Sequence, residues 1–234
     1  MLNSSTKNER LDLIFEEKSN TLSRRKFFGI MGASSAIMVA VASCKKFPGP
    51  GRGNTVNLGS GDTGILNYAY ALEQLEAAFY IKVIATPYGK MSEWEKGYLT
   101  DVRDHEIAHR EFFKAALGSS AIQQIEVDFS SVDFRERSSV LNAAKAFEDL
   151  GVSAYNGAGQ LITNPAYLTL AGKIVSVEAR HAALIRDLLA ADSFADMTVV
   201  NSMGLDQQRS PNEVLAMASP YLKTRLDASH LPTS

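Results

Sequence analysis

Four long stretches of the chain repeat apolar residues every three or four positions, the spacing that turns one side of an α-helix toward a core. Each stretch has about 22 to 27 residues, or about 33 to 40 Å at the helical rise, a length typical of a helix bundle. Capping residues, prolines and glycines indicate where each stretch begins and ends. The predicted helices cover approximately residues 62–86, 93–117, 135–157 and 165–190.

The connections between these helices predict the topology. Only residues 119–133 form a long connection, and they are polar and β-branched without helical periodicity. A long connection is what joins two antiparallel helix pairs. The pattern therefore predicts an all-α fold, an antiparallel four-helix bundle of two helical hairpins joined by a long crossover. A capping box at Ser210 followed by Pro211 predicts one short helix in a C-terminal extension, residues 191–234.

Six residues that could bind metal lie on the apolar faces of the four helices. They are a lone glutamate on the first and third helices and a Glu-x-x-His pair on the second and fourth: Glu73, Glu148, Glu106 with His109, and Glu178 with His181. Residues three apart on a helix project to one side, so each pair can hold one ion. Four buried carboxylates need a strong counter-charge, because desolvating each one unpaired costs on the order of several kcal/mol. Two divalent cations balance four carboxylates, so the pattern predicts a two-metal site.

An internal repeat supports this choice of residues. Each hairpin carries Glu-x6-Tyr on its first helix and Glu-x-x-His on its second. Glu76 aligns with Gly151, so Glu73 is the preferred ligand and Glu76 an additional, outer carboxylate. The repeated Tyr80 and Tyr155 are candidate catalytic residues, because a phenol could donate a hydrogen bond to a ligand or pass an electron to oxidised metal. Their alternative role is to fill the core.

This constellation resembles the ferritin-like superfamily, whose metal-binding members carry Glu, Glu-x-x-His, Glu and Glu-x-x-His on four successive helices. Within that superfamily, residues 58–73 are similar to bacterial ferritin-like proteins related to plant desiccation-associated proteins. The resemblance covers roughly residues 56–190. It implies two iron ions, or two manganese ions, bridged by Glu106 and Glu178. It further implies that one ion is completed by Glu73 with His109, and the other by Glu148 with His181.

One position departs from the family pattern. Several members have an acidic residue just before the bridging glutamate, whereas His105 and Val177 stand there here. The outer partners that orient the two ligand histidines are therefore not assigned. His105 is turned about 100° from Glu106 on a helix and is predicted to be solvated or partly buried. Asp227 and His230 have ligand spacing but lie in a polar stretch near the C-terminus, and they are not assigned to metal.

The first 43 residues predict an export signal. Ser23-Arg24-Arg25-Lys26-Phe27-Phe28 is a twin-arginine signature, and the uncharged residues 29–43 that follow are too few for a mature membrane span. Val41-Ala42-Ser43-Cys44 matches a lipobox, so Cys44 is the expected site of lipid attachment. A buried thiol is the alternative. Residues 44–61 are expected to be a flexible tether.

These signals predict a protein exported by the twin-arginine route and lipid-anchored in the cell envelope, facing the periplasm. Residues 1–43 hold six of 24 basic and four of 26 acidic residues, leaving a net charge near −4 for the remainder, which disfavours nucleic-acid binding. The single cysteine excludes internal disulfides and cysteine-rich metal sites. Peroxide reduction would therefore require an external electron donor.

The predicted function is oxidase- or peroxidase-type redox chemistry with dioxygen or peroxide at the metal pair. Ferroxidase, peroxidase and catalase-like reactions share this ligand set, and the sequence does not separate them. The alternatives are a non-catalytic, desiccation-related stress protein of the envelope and a metal-buffering protein without redox activity. Homo-oligomerisation is left open.

Overall fold

A computed structural model describes residues 55–233 of the chain. The predicted export signal, Cys44 and residues 44–54 of the predicted tether lie outside these residues. The described elements are the helices α1 Gly61–Ala85, α2 Glu93–Leu117, α3 Arg137–Gly159, α4 Pro165–Leu189 and α5 Pro211–Ala218, and the strands β1 Thr55–Asn57 and β2 Arg225–Asp227.

The four long helices form two hairpins. α1 packs along α2, α3 packs along α4, and α1 also contacts α3. The predicted all-α bundle is therefore confirmed, and its helix ends agree with the sequence to within two residues. The caps account for this agreement: the side chain of Ser92 accepts a hydrogen bond from the backbone of Glu95, and Asn164 accepts one from Ala166.

The crossover between the hairpins covers α1. The Asn67 carboxamide oxygen accepts from the backbone N–H of Ile122, and the Gln74 carboxamide oxygen accepts from that of Ile125, both at 2.9 Å. Phe129 of the crossover also packs edge-on against Phe79 of α1. As a result α1 is buried on nearly every side, and its central carboxylates are shielded from water.

The predicted flexible tether is wrong for residues 55–61. Thr55–Asn57 pairs in parallel with Arg225–Asp227, and Val56 and Leu58 are buried. Glycine and proline are concentrated before residue 54, whereas Thr-Val-Asn alternates polar and apolar positions as a half-buried strand does. Asp227 accepts a hydrogen bond from the Asn57 side chain, at the edge of this strand pair.

The C-terminal extension packs on the second hairpin. The backbone N–H of Arg209 donates to the carbonyl of Ser153 at 3.0 Å, and a Cβ on Gly157 would lie 1.8 Å from the Arg209 carbonyl oxygen. Glycine at position 157 therefore permits the close approach of the two backbones. None of the helices described in residues 55–233 combines the length and apolarity that crossing a membrane requires.

Candidate metal centre

The structure brings the six predicted ligands together at the middle of the bundle. Their side chains form two groups, each with one potential ligand atom per residue and all those atoms within 4.8 Å of one another. The first group is Glu73, Glu106, His109 and Glu178, and the second is Glu106, Glu148, Glu178 and His181. Glu106 and Glu178 belong to both groups, so two ions bound here would share them.

The four glutamates are completely buried, each with 0% of its surface exposed. His181 is also buried, at 3%, whereas the side chain of His109 keeps 13% of its surface exposed. Water cannot solvate carboxylates placed in this way, so their charge must be offset by protons or cations inside the protein.

Each histidine turns its Nδ1 atom toward the carboxylates. His109 Nδ1 lies 2.8 Å from Glu178 Oε1 and 3.4 Å from Glu73 Oε2. His181 Nδ1 lies 2.9 Å from Glu106 Oε1 and 3.4 Å from Glu148 Oε2. The shortest contact of each histidine with a carboxylate is thus with the glutamate of the other Glu-x-x-His motif.

The inward-facing atoms fit divalent metal. Within residues 55–233, eight buried side-chain atoms of these six residues have no partner in hydrogen-bond geometry, although several contacts are short. They are Glu73 Oε2, Glu148 Oε2, both carboxylate oxygens of Glu106 and Glu178, and Nδ1 of His109 and His181. Buried polar atoms in proteins rarely lack partners. Six carboxylate oxygens with two imidazole nitrogens are a donor set that suits iron or manganese.

Two tyrosines determine which oxygen of each terminal glutamate remains free. The Tyr80 hydroxyl donates to Glu148 Oε1 at 2.5 Å, and the Tyr155 hydroxyl donates to Glu73 Oε1. Both bonds cross from one hairpin to the other. Burial, followed by the charge of the neighbouring glutamate, raises the pKa of both phenols well above the usual value. The tyrosines therefore remain protonated donors and leave each Oε2 atom facing the centre.

The metal-free centre carries its own counter-charge. Burial alone would lower the pKa of His109, but its contacts with Glu178 and Glu73 outweigh burial and raise that pKa to about 10. The pKa of His181 is raised further by the same kind of contact. Burial alone would raise the pKa of Glu178, but the hydrogen bonds and charges of the two histidines outweigh burial and lower that pKa to about 2. Burial and neighbouring carboxylates raise the pKa of the other three ligand glutamates.

Glu76 is a fifth carboxylate beside the centre. It is buried, with 4% of its surface exposed, and it belongs to neither group of converging ligand atoms. A Cβ on Gly151 would lie 3.1 Å from Glu76 Oε1 and 3.9 Å from Glu178 Oε2, so the absence of a side chain at Gly151 leaves the space that Glu76 occupies. Burial, followed by the charge of Glu106, raises the pKa of Glu76 well above its usual value.

A small apolar cavity of about 20 Å³ lies beside Tyr155. Tyr155 forms part of its wall, together with Leu72, Phe113 and Ala154. A cavity of this volume holds roughly one small molecule, and apolar walls make it unfavourable for water. The cavity therefore places an apolar space next to the tyrosine that contacts Glu73.

Sequence reasoning missed one contact at the centre. His105 Nδ1 lies 2.9 Å from His181 Nε2, and the two rings lie edge to edge, with centroids 5.2 Å apart and planes 12° apart. The prediction of a solvated or partly buried residue gave His105 no role. Its position just before Glu106, where related proteins carry an acid, was the available indication that it faces the ligand histidine of the other hairpin.

The other two residues with ligand spacing, Asp227 and His230, lie at the edge of the strand pair. Asp227 and His230 both contact the Asn57 side chain, at 2.9 and 3.1 Å, and neither lies in a group of converging ligand atoms among residues 55–233. Their spacing is thus explained by local hydrogen bonding.

The fold and the cluster define a class of protein, a helical bundle with a buried carboxylate and histidine site that could hold metal. A family model of the ferritin-like domain matches residues 61–191, more than half of the chain, and the chain belongs to that family. A search of curated proteins found no match. The resemblance to the ferritin-like superfamily is thereby confirmed, and the link to desiccation-related proteins stays a prediction.

Proposed function

We propose that this protein binds a pair of iron or manganese ions at the centre of its bundle and uses them in oxidase- or peroxidase-type chemistry with dioxygen or peroxide. The observation that carries the proposal is the sharing of Glu106 and Glu178 between two groups of converging ligand atoms. A single ion would not need both groups.

Each ligand residue has a role in this proposal. Glu106 and Glu178 would bridge, Glu73 with His109 would complete one ion, and Glu148 with His181 would complete the other. Bound iron or manganese would supply the redox chemistry that side chains lack. The protein would supply a fixed charge balance and shelter from water.

The tyrosines and the cavity support a small oxidant as substrate. Tyr80 and Tyr155 each hold a proton on the hydroxyl oxygen next to a terminal glutamate, where a proton is available within hydrogen-bond distance of the centre. The apolar cavity beside Tyr155 suits a molecule the size of dioxygen better than a larger polar substrate. Electrons for continued turnover would come from an external donor.

The test combines metal analysis with activity. Metal-free protein is loaded anaerobically with Fe²⁺ or Mn²⁺, and bound metal, ferrous oxidation and peroxide consumption are measured. We expect two ions per chain, with loss of at least one in Glu106→Ala and in His181→Ala. Glu111→Gln, at an exposed carboxylate on the same helix as Glu106, is the control and should bind metal normally. Equal metal content in the wild type and both ligand variants would refute the proposal.

The same experiment separates the alternative functions. Stoichiometric metal without oxidation or peroxide consumption would favour a non-catalytic envelope stress protein. Zinc in protein isolated from its native compartment, with no redox-active metal, would favour metal buffering.

We also propose export by the twin-arginine route and anchoring through a lipid on Cys44. The support is the signature at residues 23–28 and the lipobox that ends at Cys44. In fractionated cells, Cys44→Ala should move the protein from the membrane fraction to the soluble fraction of the envelope. Replacing both Arg24 and Arg25 by Lys should keep the precursor inside the cell. Unchanged distribution of both variants would contradict this proposal.

A further inference from the structure

The contact between His105 and His181 differs from the other short contacts at the centre because it joins two imidazole nitrogens. His105 lies on the exposed side of α2, whereas His181 is buried on α4. The 2.9 Å distance between His105 Nδ1 and His181 Nε2 is that of a hydrogen bond, and the two rings lie edge to edge in nearly one plane. His105 is thus the outward neighbour of a ligand histidine.

The direction of this hydrogen bond follows from the inward contacts of His181. Its Nδ1 atom faces Glu106, Glu148 and Glu178, so Nδ1 is the nitrogen available to an ion. A neutral imidazole that binds through Nδ1 carries its hydrogen on Nε2. That N–H is buried and needs an acceptor, and the Nδ1 lone pair of a neutral His105 provides one. His105 then directs its own Nε2–H away from His181.

The other half of the centre lacks this arrangement. The internal repeat places Val177 at the position that corresponds to His105, and a valine side chain accepts no hydrogen bond. In the part of the chain that the structure describes, no acceptor is hydrogen-bonded to His109 Nε2. The His109 side chain is also more exposed than that of His181, at 13% against 4%. Within residues 55–233 the outward nitrogen is therefore held by a side-chain acceptor at His181 but not at His109.

We propose that His105 is a positioning residue, which fixes the tautomer and orientation of His181 through an imidazole-to-imidazole hydrogen bond. In consequence the half of the centre built on Glu148 and His181 binds its ion more tightly than the half built on Glu73 and His109. This inference rests on the proposed two-metal function. The two halves differ in affinity because, among the described residues, only His181 has an imidazole acceptor for its outward N–H.

Two variants of His105 separate the hydrogen bond from the packing of the ring beside His181. His105→Phe keeps an aromatic ring against His181 but removes the acceptor. His105→Asn keeps an acceptor, the amide oxygen, near the position of Nδ1 but removes the ring. Outer partners of ligand histidines typically change metal affinity by about 10- to 100-fold. We therefore expect His105→Phe to weaken the tighter ion by about that factor, and His105→Asn to stay within a few-fold of the wild type.

The measurement is an anaerobic titration with Co²⁺ in competition with a chelator, followed by proton NMR of the loaded protein. The wild type should bind two ions in two separate steps, and only the tighter step should change in His105→Phe. The exchangeable N–H signal of the bound His181 should persist in the wild type and in His105→Asn, and should broaden or disappear in His105→Phe. Asp104→Asn, at the exposed neighbouring residue, is the control and should resemble the wild type.

Each outcome decides a separate question. Wild-type affinity in His105→Phe, or equal weakening in both His105 variants, would overturn the positioning role. Two indistinguishable steps in the wild type, or weakening of both steps in His105→Phe, would overturn the inequality of the two halves. A wild-type protein that binds no Co²⁺, Fe²⁺ or Mn²⁺ would refute the proposed function and this inference with it.

Discussion

Metal binding by the metal-free protein should release protons, at least one from each ligand histidine. Both ligand histidines are imidazolium at neutral pH, because contacts with buried carboxylates outweigh burial, raise the pKa of His109 to about 10 and raise that of His181 further. An ion can bind at Nδ1 only after that proton has left. Two ions therefore displace two protons at pH 7. A third leaves if Glu106, whose pKa burial raises well above the usual value, is protonated there.

The release of about two to three protons has a measurable effect on affinity. The overall binding constant for the ion pair should rise about 100- to 1000-fold for each unit of pH near neutrality, since each released proton contributes one factor of ten. The number released should fall by one as the pH passes the His109 pKa of about 10, where that proton is already absent. Glu76, which lies outside the two ligand groups, can keep its proton throughout.

Isothermal titration calorimetry in buffers of different ionisation enthalpy measures this number directly. The slope of observed enthalpy against buffer ionisation enthalpy should equal two to three protons per chain at pH 7. Zn²⁺ is the control, because it does no redox chemistry and should displace the same protons as Mn²⁺. A slope near zero would mean that both imidazoles are neutral before metal binds, and it would refute the reasoning.

Three further predictions concern stability. Metal at about 100 times its Kd should stabilise the fold by about 2.7 kcal/mol, raising Tm by about 5–11 °C over protein in EDTA, and identical melting curves would contradict this. Burial raises the pKa of Glu76 above its unfolded value, so its favourable contribution is present below pH 4.5 and is lost as the pH rises through the folded pKa. Glu76→Gln should therefore raise the free energy of unfolding of the metal-free protein, measured in urea, at pH 8 but not at pH 4. The control Glu111→Gln, at an exposed carboxylate, should change this free energy little. Destabilisation by Glu76→Gln at pH 8 would argue against an unfavourable buried charge at Glu76. Gly157→Ala should cost about 1–3 kcal/mol because its Cβ would meet the Arg209 carbonyl, while Gly172→Ala, in a helix with open space around it, should gain about 0.5–1 kcal/mol. Equal urea midpoints for the two alanine variants would show that the C-terminal segment moves away from the added methyl group without loss of stability.

The sequence predicts the bundle because its information there is local. Apolar periodicity identifies the helices, and caps such as Ser92 and Asn164 act within three residues of themselves. The meeting of the six candidate ligands was also predictable, because a glutamate on an apolar face must find a partner and the repeat shows which glutamates correspond. The choice between Glu73 and Glu76 depended on the glycine at position 151, which leaves the space that Glu76 fills.

The contacts that the sequence did not predict join residues far apart in the chain. Strand β1 forms by pairing with residues 225–227, which are distant in the sequence. A segment of three residues is also too short for its alternation of polar and apolar positions to predict a strand. The pairing of Tyr80 with Glu148, instead of with a residue of its own hairpin, depends on how the hairpins dock. The prediction that His105 is solvated or partly buried used only its angle from Glu106 on α2. This angle does not show that His181 of α4 packs beside His105.

Five close side-chain contacts at the centre run between hairpins: Tyr80 with Glu148, Tyr155 with Glu73, His109 with Glu178, His181 with Glu106, and His105 with His181. One hairpin alone can offer at most three ligands of either group, held in rotamers that nothing outside it constrains. Tight uptake of an ion must therefore wait until the two halves have joined. The rate of metal binding during refolding would therefore report the docking of the two hairpins. It would not report the earlier formation of the helices.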